Sequence, residues 1–189
     1  MLELAGEMAD GVIALGGVSA AALSYVFDHV EAGAKRAGRS LSDVDVVIGT
    51  WSYVSDDMEE CVEQARPICA FFMLEGKQTV EPAGMKIPSN VDMSGLYPDV
   101  IHAESWDLAI EKSRKWLPQH VVEEFVSKFL VVGSGEEIAR KTQDLVDAGI
   151  RTFYIRGFST YDFATDVAEA YSQYVFPSVR GDCATPEVG

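Results

Sequence analysis

Three short segments carry the residue types best suited to bind a ligand. Residues 15–19, 50–53 and 156–159 each follow an apolar run that is typical of a buried strand. Glycines let a ligand approach backbone N–H groups closely, so Gly16 and Gly17 are candidate pocket residues. A tight turn between strand and helix is the alternative reading of the two glycines.

Arg156 is the best candidate for an anion contact. Its planar guanidinium suits phosphate or carboxylate groups, and it closes the last predicted strand. Trp51 and Tyr53 alternate with Thr50 and Ser52 at a strand end, so one member of each pair faces inward, and the aromatic rings are a candidate wall of a ligand pocket. A surface ion pair for Arg156, and packing of the aromatic rings against helices, are the alternatives.

The histidines predict no metal site. His29, His102 and His120 lack metal-ligand spacing, and GxSxG, HExxH, P-loop and GxGxxG motifs are absent. His29 and His120 fall within helical patterns and are predicted to lie on the surface. His102, beside an irregular segment, is the one histidine of interest.

These candidate residues require a parallel α/β framework to hold them. Strands are predicted at 12–15, 44–54 and 151–156, the first with both faces buried. Helices are predicted at 2–9, 19–37, 55–75, 104–116, 118–129, 134–148 and 161–176, with a kink or break at Pro67. Residues 76–103 contain many glycines and prolines without a period, which indicates a long functional loop. The tail, 178–189, is polar and predicted to fray.

Composition narrows the class of partner. The chain of 189 residues has 15 Lys and Arg against 30 Asp and Glu, a net charge of −15. Such a chain repels phosphate backbones and anionic lipid, so we expect no nucleic-acid or membrane partner. Three cysteines without a CxxC pair indicate reduced thiols, with Cys61 and Cys69 on the helix after Ser55. Together with the lack of an apolar run near 18 residues, this predicts a cytoplasmic protein.

Two segments in order resemble a known enzyme family. Residues 5–13, AGEMADGVI, and residues 132–155, from VGSGEEIA to DAGI and FYI, are similar to segments of the luciferase-like flavin and deazaflavin oxidoreductases. The resemblance implies that residues 1–177 are the C-terminal part of a (β/α)8 TIM barrel and supply about its last three strands. A whole barrel needs about 250 residues, so we expect the first part of the barrel to be missing from this chain.

The resemblance also implies a function. Members transfer hydride between a flavin-type ring and a small organic substrate, or act as monooxygenases; the cofactor is 5-deazaflavin coenzyme F420 or, alternatively, FMN. The family's cofactor phosphate lies at the start of the helix that here begins at Met1 and Leu2, although the preceding turn is absent from this chain. Val18 replaces the basic residue of the sugar-phosphate-dependent members, which argues against a sugar-phosphate substrate. The catalytic residues stay unknown.

Met1, Leu2, Gly16, Gly17 and Arg156 are therefore the predicted cofactor-binding residues. The alternative function is a non-catalytic partial barrel, either a fragment or a subunit that completes its barrel by association. Accordingly, we expect either a homo-oligomer or a missing N-terminal half, and a small-molecule substrate.

Overall fold

Helices and strands alternate along the chain in the predicted order. The computed structural model describes residues 1–88, 91–158, 161 and 163–179. The strands are β1 Gly11–Ala14, β2 Asp45–Val54, β3 Val131–Gly133 and β4 Thr152–Arg156. The helices are α1 Leu2–Met8, α2 Ala20–Arg36, α3 Met58–Gln64, α4 Arg66–Glu75, α5 Lys77–Val80, α6 Trp106–Arg114, α7 Gln119–Phe129, α8 Gly135–Asp147 and α9 Thr165–Ala170. A π-helical turn, Tyr171–Val175, continues α9 into the short helix α10, Phe176–Ser178.

The sheet is parallel and is built around β2. Gly11–Ala14 pair with Asp45–Ile48, and Thr152–Arg156 pair with Val47–Trp51. Because Val47 and Ile48 pair with both neighbours, β1 and β4 lie on opposite edges of β2. Among the described residues the sheet does not close, which is compatible with part of a barrel.

The sequence reading missed one strand. Val131–Gly133 pairs in parallel with Ser52–Val54, beyond the end of β1. The strand β3 is only three residues long and follows α7 after one residue. Its apolar residues therefore continue the apolar stripe of that helix and give no separate strand pattern. The prediction of three strands was therefore wrong, but only β1, β2 and β4 run alongside one another.

One face of the sheet, the helix face, is covered by helices. Ala14, Ile48, Phe153 and Ile155 pack there with apolar residues of α2 and α8. We call the opposite face the inner face, and its side chains come from alternate strand positions. The prediction that β1 is buried on both faces was wrong, since Ile13 on the inner face is 60% exposed.

A second apolar cluster lies at the carboxyl end of the strands. Trp51 packs there against Phe72 of α4, with ring centroids 5.6 Å apart. Helices α3, α4 and α7 and the loop after α5 complete the cluster. The predicted irregular segment, 76–103, begins with α5 and is anchored by buried Val80, Met85 and Ile101.

Local signals set most helix boundaries. Ser19 caps α2, and Ser134 with Glu137 forms the predicted capping box of α8. The expected break falls at Ala65, with Pro67 in the first turn of α4. Asp57, rather than Ser55 or Asp56, caps α3, because its carboxylate accepts from the N–H groups of Glu59 and Glu60.

Three further expectations need correction or lie outside the described chain. The last helix begins at Thr165 instead of residue 161. Cys61 and Cys69 lie on two successive helices, since the break at Ala65 separates them. Residues 180–189, most of the predicted frayed tail, and Cys183 among them, are outside the described residues. In the described chain, no helix is both long enough and apolar enough to cross a membrane.

Candidate functional site

The carboxyl ends of the parallel strands place the predicted ligand-binding segments on one edge of the sheet. β1 leads into Gly16 and Gly17, β2 ends at Val54, and β4 ends at Arg156. Helix α1 precedes β1 and runs back across α2, so its first residues also reach this edge. Ligand sites of parallel α/β proteins form at such carboxyl ends.

Three predicted residues line one pocket. Met1, Leu2 and Gly16 border a cavity of about 580 Å³ between α1, β1, α2 and the loop after α5. This volume falls in the range of small-molecule sites, roughly 300–1,000 Å³. The resemblance predicted Met1 and Leu2 and the glycine argument predicted Gly16, and all three border the same pocket.

Sequence reasoning missed the polar residues of this pocket. Tyr25 and His29 of α2, with Gln78 and Thr79 after α4, also line it. The rings of Tyr25 and His29 lie 4.0 Å apart, and His29 Nδ1 is 2.7 Å from the Tyr25 carbonyl. His29 was predicted to be a surface residue, but it is half-buried. The sequence offered one signal for a partly buried His29, its place three residues after Val26 on the apolar stripe of the helix. Helical periodicity alone does not distinguish a side chain that lines a pocket from one that faces solvent.

Gly17 lies in a turn outside the lining of that pocket. Its φ is +101°, and a Cβ there would lie 2.9 Å from the carbonyl oxygen of Lys128. The same carbonyl accepts the N–H groups of Val18 and Ser19. Turn geometry therefore accounts for this glycine, while its predicted role in cofactor binding stays a prediction.

Arg156 lies on the inner face, across β2 from this pocket. Its guanidinium carbon is 5.1 Å from the centre of the Trp51 ring, a cation–π contact. Among the residues that the structure describes, Arg156 has no ion pair or side-chain hydrogen bond. Its N–H donors are thus available to an anion. Trp51 itself is only 3% exposed and packs on α4, so it cannot line an open pocket as an aromatic wall.

Tyr53 forms a second aromatic group at the end of β2. Its ring stacks on Phe158 at 5.1 Å, and its hydroxyl donates to Glu60 Oε1 at 2.9 Å. Burial, followed by the hydrogen bond to Glu60, raises the pKa of Tyr53 to about 12. The phenol is therefore neutral near pH 7 and serves as a donor rather than as a base.

The histidine and cysteine candidates do not join this pocket. His102 Nδ1 lies 2.7 Å from Asp99 Oδ2, and the Tyr161 hydroxyl donates to the His102 carbonyl. Burial raises the pKa of the Cys61 thiol to about 11 and raises that of Cys69 even further, so neither thiol is a ready nucleophile. Within the described ranges, no cluster of three His, Cys, Asp or Glu residues has metal-site geometry.

Comparison with known families decides the assignment. The model of the family described as luciferase-like monooxygenase matches residues 1–152, about four fifths of the chain. The chain belongs to the luciferase-like monooxygenase family. The earlier resemblance is thereby confirmed.

Two individual relatives of this luciferase-like chain are methylenetetrahydromethanopterin reductases. The chain is 27% identical over 151 residues to the 5,10-methylenetetrahydromethanopterin reductase of Methanopyrus kandleri, covering 79% of this chain and 40% of the relative. The corresponding reductase of Archaeoglobus fulgidus is 25% identical over 154 residues, covering 79% and 43%. The chain thus spans less than half the length of the curated relatives it matches.

Solved structures agree on the fold. The coenzyme F420-dependent tetrahydromethanopterin reductase of Methanopyrus kandleri has a TM-score of 0.64 at 23% identity; the match covers 95% of this luciferase-like chain and 48% of that structure. An F420-dependent secondary alcohol dehydrogenase in complex with an F420–acetone adduct has a TM-score of 0.59 at 18% identity, covering 95% and 46%.

Proposed function

We propose that this chain is the C-terminal part, over residues 1–177, of a barrel oxidoreductase that uses a flavin-type cofactor. Its reaction is hydride transfer or monooxygenation on a small organic substrate. The family assignment and the two F420-dependent structural neighbours support this proposal. The curated relatives are methylenetetrahydromethanopterin reductases, so we favour coenzyme F420, with FMN as the alternative.

Arg156, for which no ion pair is found among the described residues, is the observation that carries this proposal. A guanidinium held over Trp51, with no carboxylate partner among the described residues, fits the anionic group of such a cofactor. The pocket bordered by Met1, Leu2 and Gly16 offers an apolar wall on the other side of β2. The described residues therefore fit part of the cofactor's surroundings.

Each residue has a role that follows from its position. Arg156 would hold the anionic group, and the backbone at Gly16 would allow the cofactor to approach. When bound, a flavin-type ring supplies the hydride chemistry, and the protein supplies orientation and electrostatics. Tyr53, neutral and fixed by Glu60, would position the end of β2.

A chimeric barrel tests this function. In it the chain replaces the matching portion of the Methanopyrus kandleri reductase, and F420 and FMN are titrated separately. We expect saturable F420 binding that Arg156→Ala weakens by roughly 10- to 100-fold, because a hydrogen bond to a charged group contributes roughly 1.5–3 kcal/mol and each 1.4 kcal/mol is about a factor of ten.

Arg140→Ala is the matched control, since Arg140 forms an exposed ion pair with Asp144 on α8. This variant should bind normally. Equal affinity of the Arg156→Ala and Arg140→Ala variants would remove Arg156 from the site. A folded chimera that binds neither cofactor would favour the alternative, a non-catalytic partial barrel.

A further inference from the structure

We propose that a small cavity at the carboxyl ends of β2 and β4 is a binding site for the ammonium group of an organic cation. The five predicted cofactor-binding residues lie outside its lining. The inference therefore goes beyond the proposed function and does not depend on it.

The size of the cavity is the first observation. It has a volume of about 210 Å³ and lies between the ends of β2 and β4, the last residue of α3, the first residue of α6 and the start of α9. Sites for drug-sized ligands and cofactors hold roughly 300–1,000 Å³. This cavity is too small for a flavin-type cofactor but holds a compact head group.

Aromatic side chains are the second observation. The lining includes four of them, Tyr53, Trp106, Phe158 and Phe163. The rings of Tyr53 and Phe158 stack with centroids 5.1 Å apart, and Trp106 Nε1 donates to the Gln64 carbonyl at 3.2 Å. These contacts hold three of the rings in place. The face of an aromatic ring carries negative potential, so it attracts a cation.

Phe163 forms the rim of the cavity. Its side chain is 98% exposed, and its carbonyl accepts the N–H of Thr165 at 2.7 Å, which fixes the backbone at the start of α9. Single exposed apolar residues are common on protein surfaces. Phe163 differs from them because it lies at the mouth of a cavity that three other aromatic rings line, where a ligand can cover it.

Asp166 gives the cavity its charge. It is the one acidic residue of the described lining, which contains no Lys, Arg or His. In the part of the chain that the structure describes, no cation or hydrogen-bond donor pairs with its carboxylate. Burial first, then the hydrogen bond and the charge of Glu60, and also the charge of Asp166, raise the pKa of Tyr53 to about 12. Two carboxylates therefore act on the same end of the cavity, while the Tyr53 ring stays neutral.

Aromatic rings beside a carboxylate without a counter-ion select an organic ammonium group. Its methyl or methylene groups contact the rings, and its charge is attracted both by the ring faces and by Asp166. An anion is repelled by Asp166 and by the net charge of −15. A neutral apolar ligand contacts the rings but leaves the carboxylate without a counter-ion. A metal ion lacks ligands, since no cluster of three His, Cys, Asp or Glu exists among the described residues.

Titration with tetramethylammonium chloride tests the site. Ligand-detected NMR on the full chain is suitable because it does not require a monodisperse protein, and sodium chloride keeps the ionic strength constant. We expect saturable binding with a dissociation constant of about 1 mM, a reasonable scale for so small a ligand, and saturation transfer from aromatic protons to the N-methyl groups. Choline should bind similarly. Its neutral isostere, 3,3-dimethylbutan-1-ol, should bind at least tenfold more weakly, because it lacks the charge.

Two variants and one matched control locate the bound cation. Phe163→Ala should weaken tetramethylammonium binding by roughly threefold to tenfold, and Asp166→Asn by roughly threefold, as expected for an exposed ion pair. Both side chains are exposed, so the fold should persist, which circular dichroism checks. Glu169→Gln removes the same charge from an exposed position of α9 outside the lining. This control should bind like the unmodified chain and separates a local contact from an effect of net charge.

The cation site would be refuted by any of three results: no saturable binding of tetramethylammonium or choline, equal affinity for the neutral alcohol, or equal affinity of the Asp166→Asn and Glu169→Gln variants. Failure of the chimeric barrel to bind F420 and FMN would instead contradict the proposed function and leave this site unaffected.

Discussion

The crossing of α1 and α2 depends on two glycines, and one added methyl group should disrupt it. A Cβ at Gly33 would lie 1.8 Å from the carbonyl oxygen of Glu3, and one at Gly6 would lie 2.1 Å from that of Val30. Both obstacles are backbone atoms, so no side-chain rotation relieves them. Gly33→Ala must therefore push α1 away from α2.

Two opposing effects set the change in the free energy of unfolding caused by Gly33→Ala. Alanine is favoured over glycine inside a helix by up to about 1 kcal/mol, which would stabilise α2. Overpacking typically costs roughly 1–3 kcal/mol, and here backbone rather than a side chain must move. We expect a net loss of about 1–2 kcal/mol in the free energy of unfolding. Because Leu2 lies on α1 and Met1 directly precedes it, the pocket also loses a wall.

Urea unfolding followed by circular dichroism measures this change. Several protein concentrations separate association from folding, and hydrogen exchange reports the loosening of α1. Ser24→Ala, at an exposed position of α2, reports helix propensity alone and should stabilise slightly. If Gly33→Ala were as stable as the unmodified chain or more so, close packing of the two helices would not be what requires glycine there.

Four further predictions concern the chain in solution. Light scattering should show that the isolated chain associates heterogeneously, because its apolar inner face and sheet edges are open; a monodisperse monomer that melts cooperatively would contradict this. Hydrogen exchange should be faster in residues 76–103 than in β2, since turns and loops carry few ladder hydrogen bonds; equal protection would refute it. The free energy of unfolding should fall as the pH rises from about 9 to about 12. Burial raises the pKa of Cys61 from 9.0 to about 11 and that of Tyr53 from 10.0 to about 12, so these groups ionise in the unfolded chain at a lower pH than in the folded chain. The free energy of unfolding of the Cys61→Ala and Tyr53→Phe variants should therefore depend less on pH. Titration of F420 and FMN against the isolated chain should give no saturable micromolar binding, because a partial site must still offset the full loss of ligand freedom.

The sequence alone determined the family, the parallel α/β class and most element boundaries. These are local properties: apolar periodicity predicts a strand or helix, Ser19 and Ser134 begin helices, and Pro67 marks a helix break. The acidic composition, with a net charge of −15, also follows from the sequence alone. The resemblance predicted Met1 and Leu2 as site residues, glycine chemistry predicted Gly16, and the three border one pocket.

Only the tertiary structure decided which residues share a surface. Neither glycine of the α1–α2 crossing was distinguishable from any other helical glycine, because the obstacle at each comes from the opposite helix. Packing of elements distant in sequence places His29 in the lining of the pocket and buries Trp51 against α4. Exposure of Ile13 likewise depends on whether another strand lies beside β1. Long-range packing decides such contacts, and no periodicity along a single segment records them.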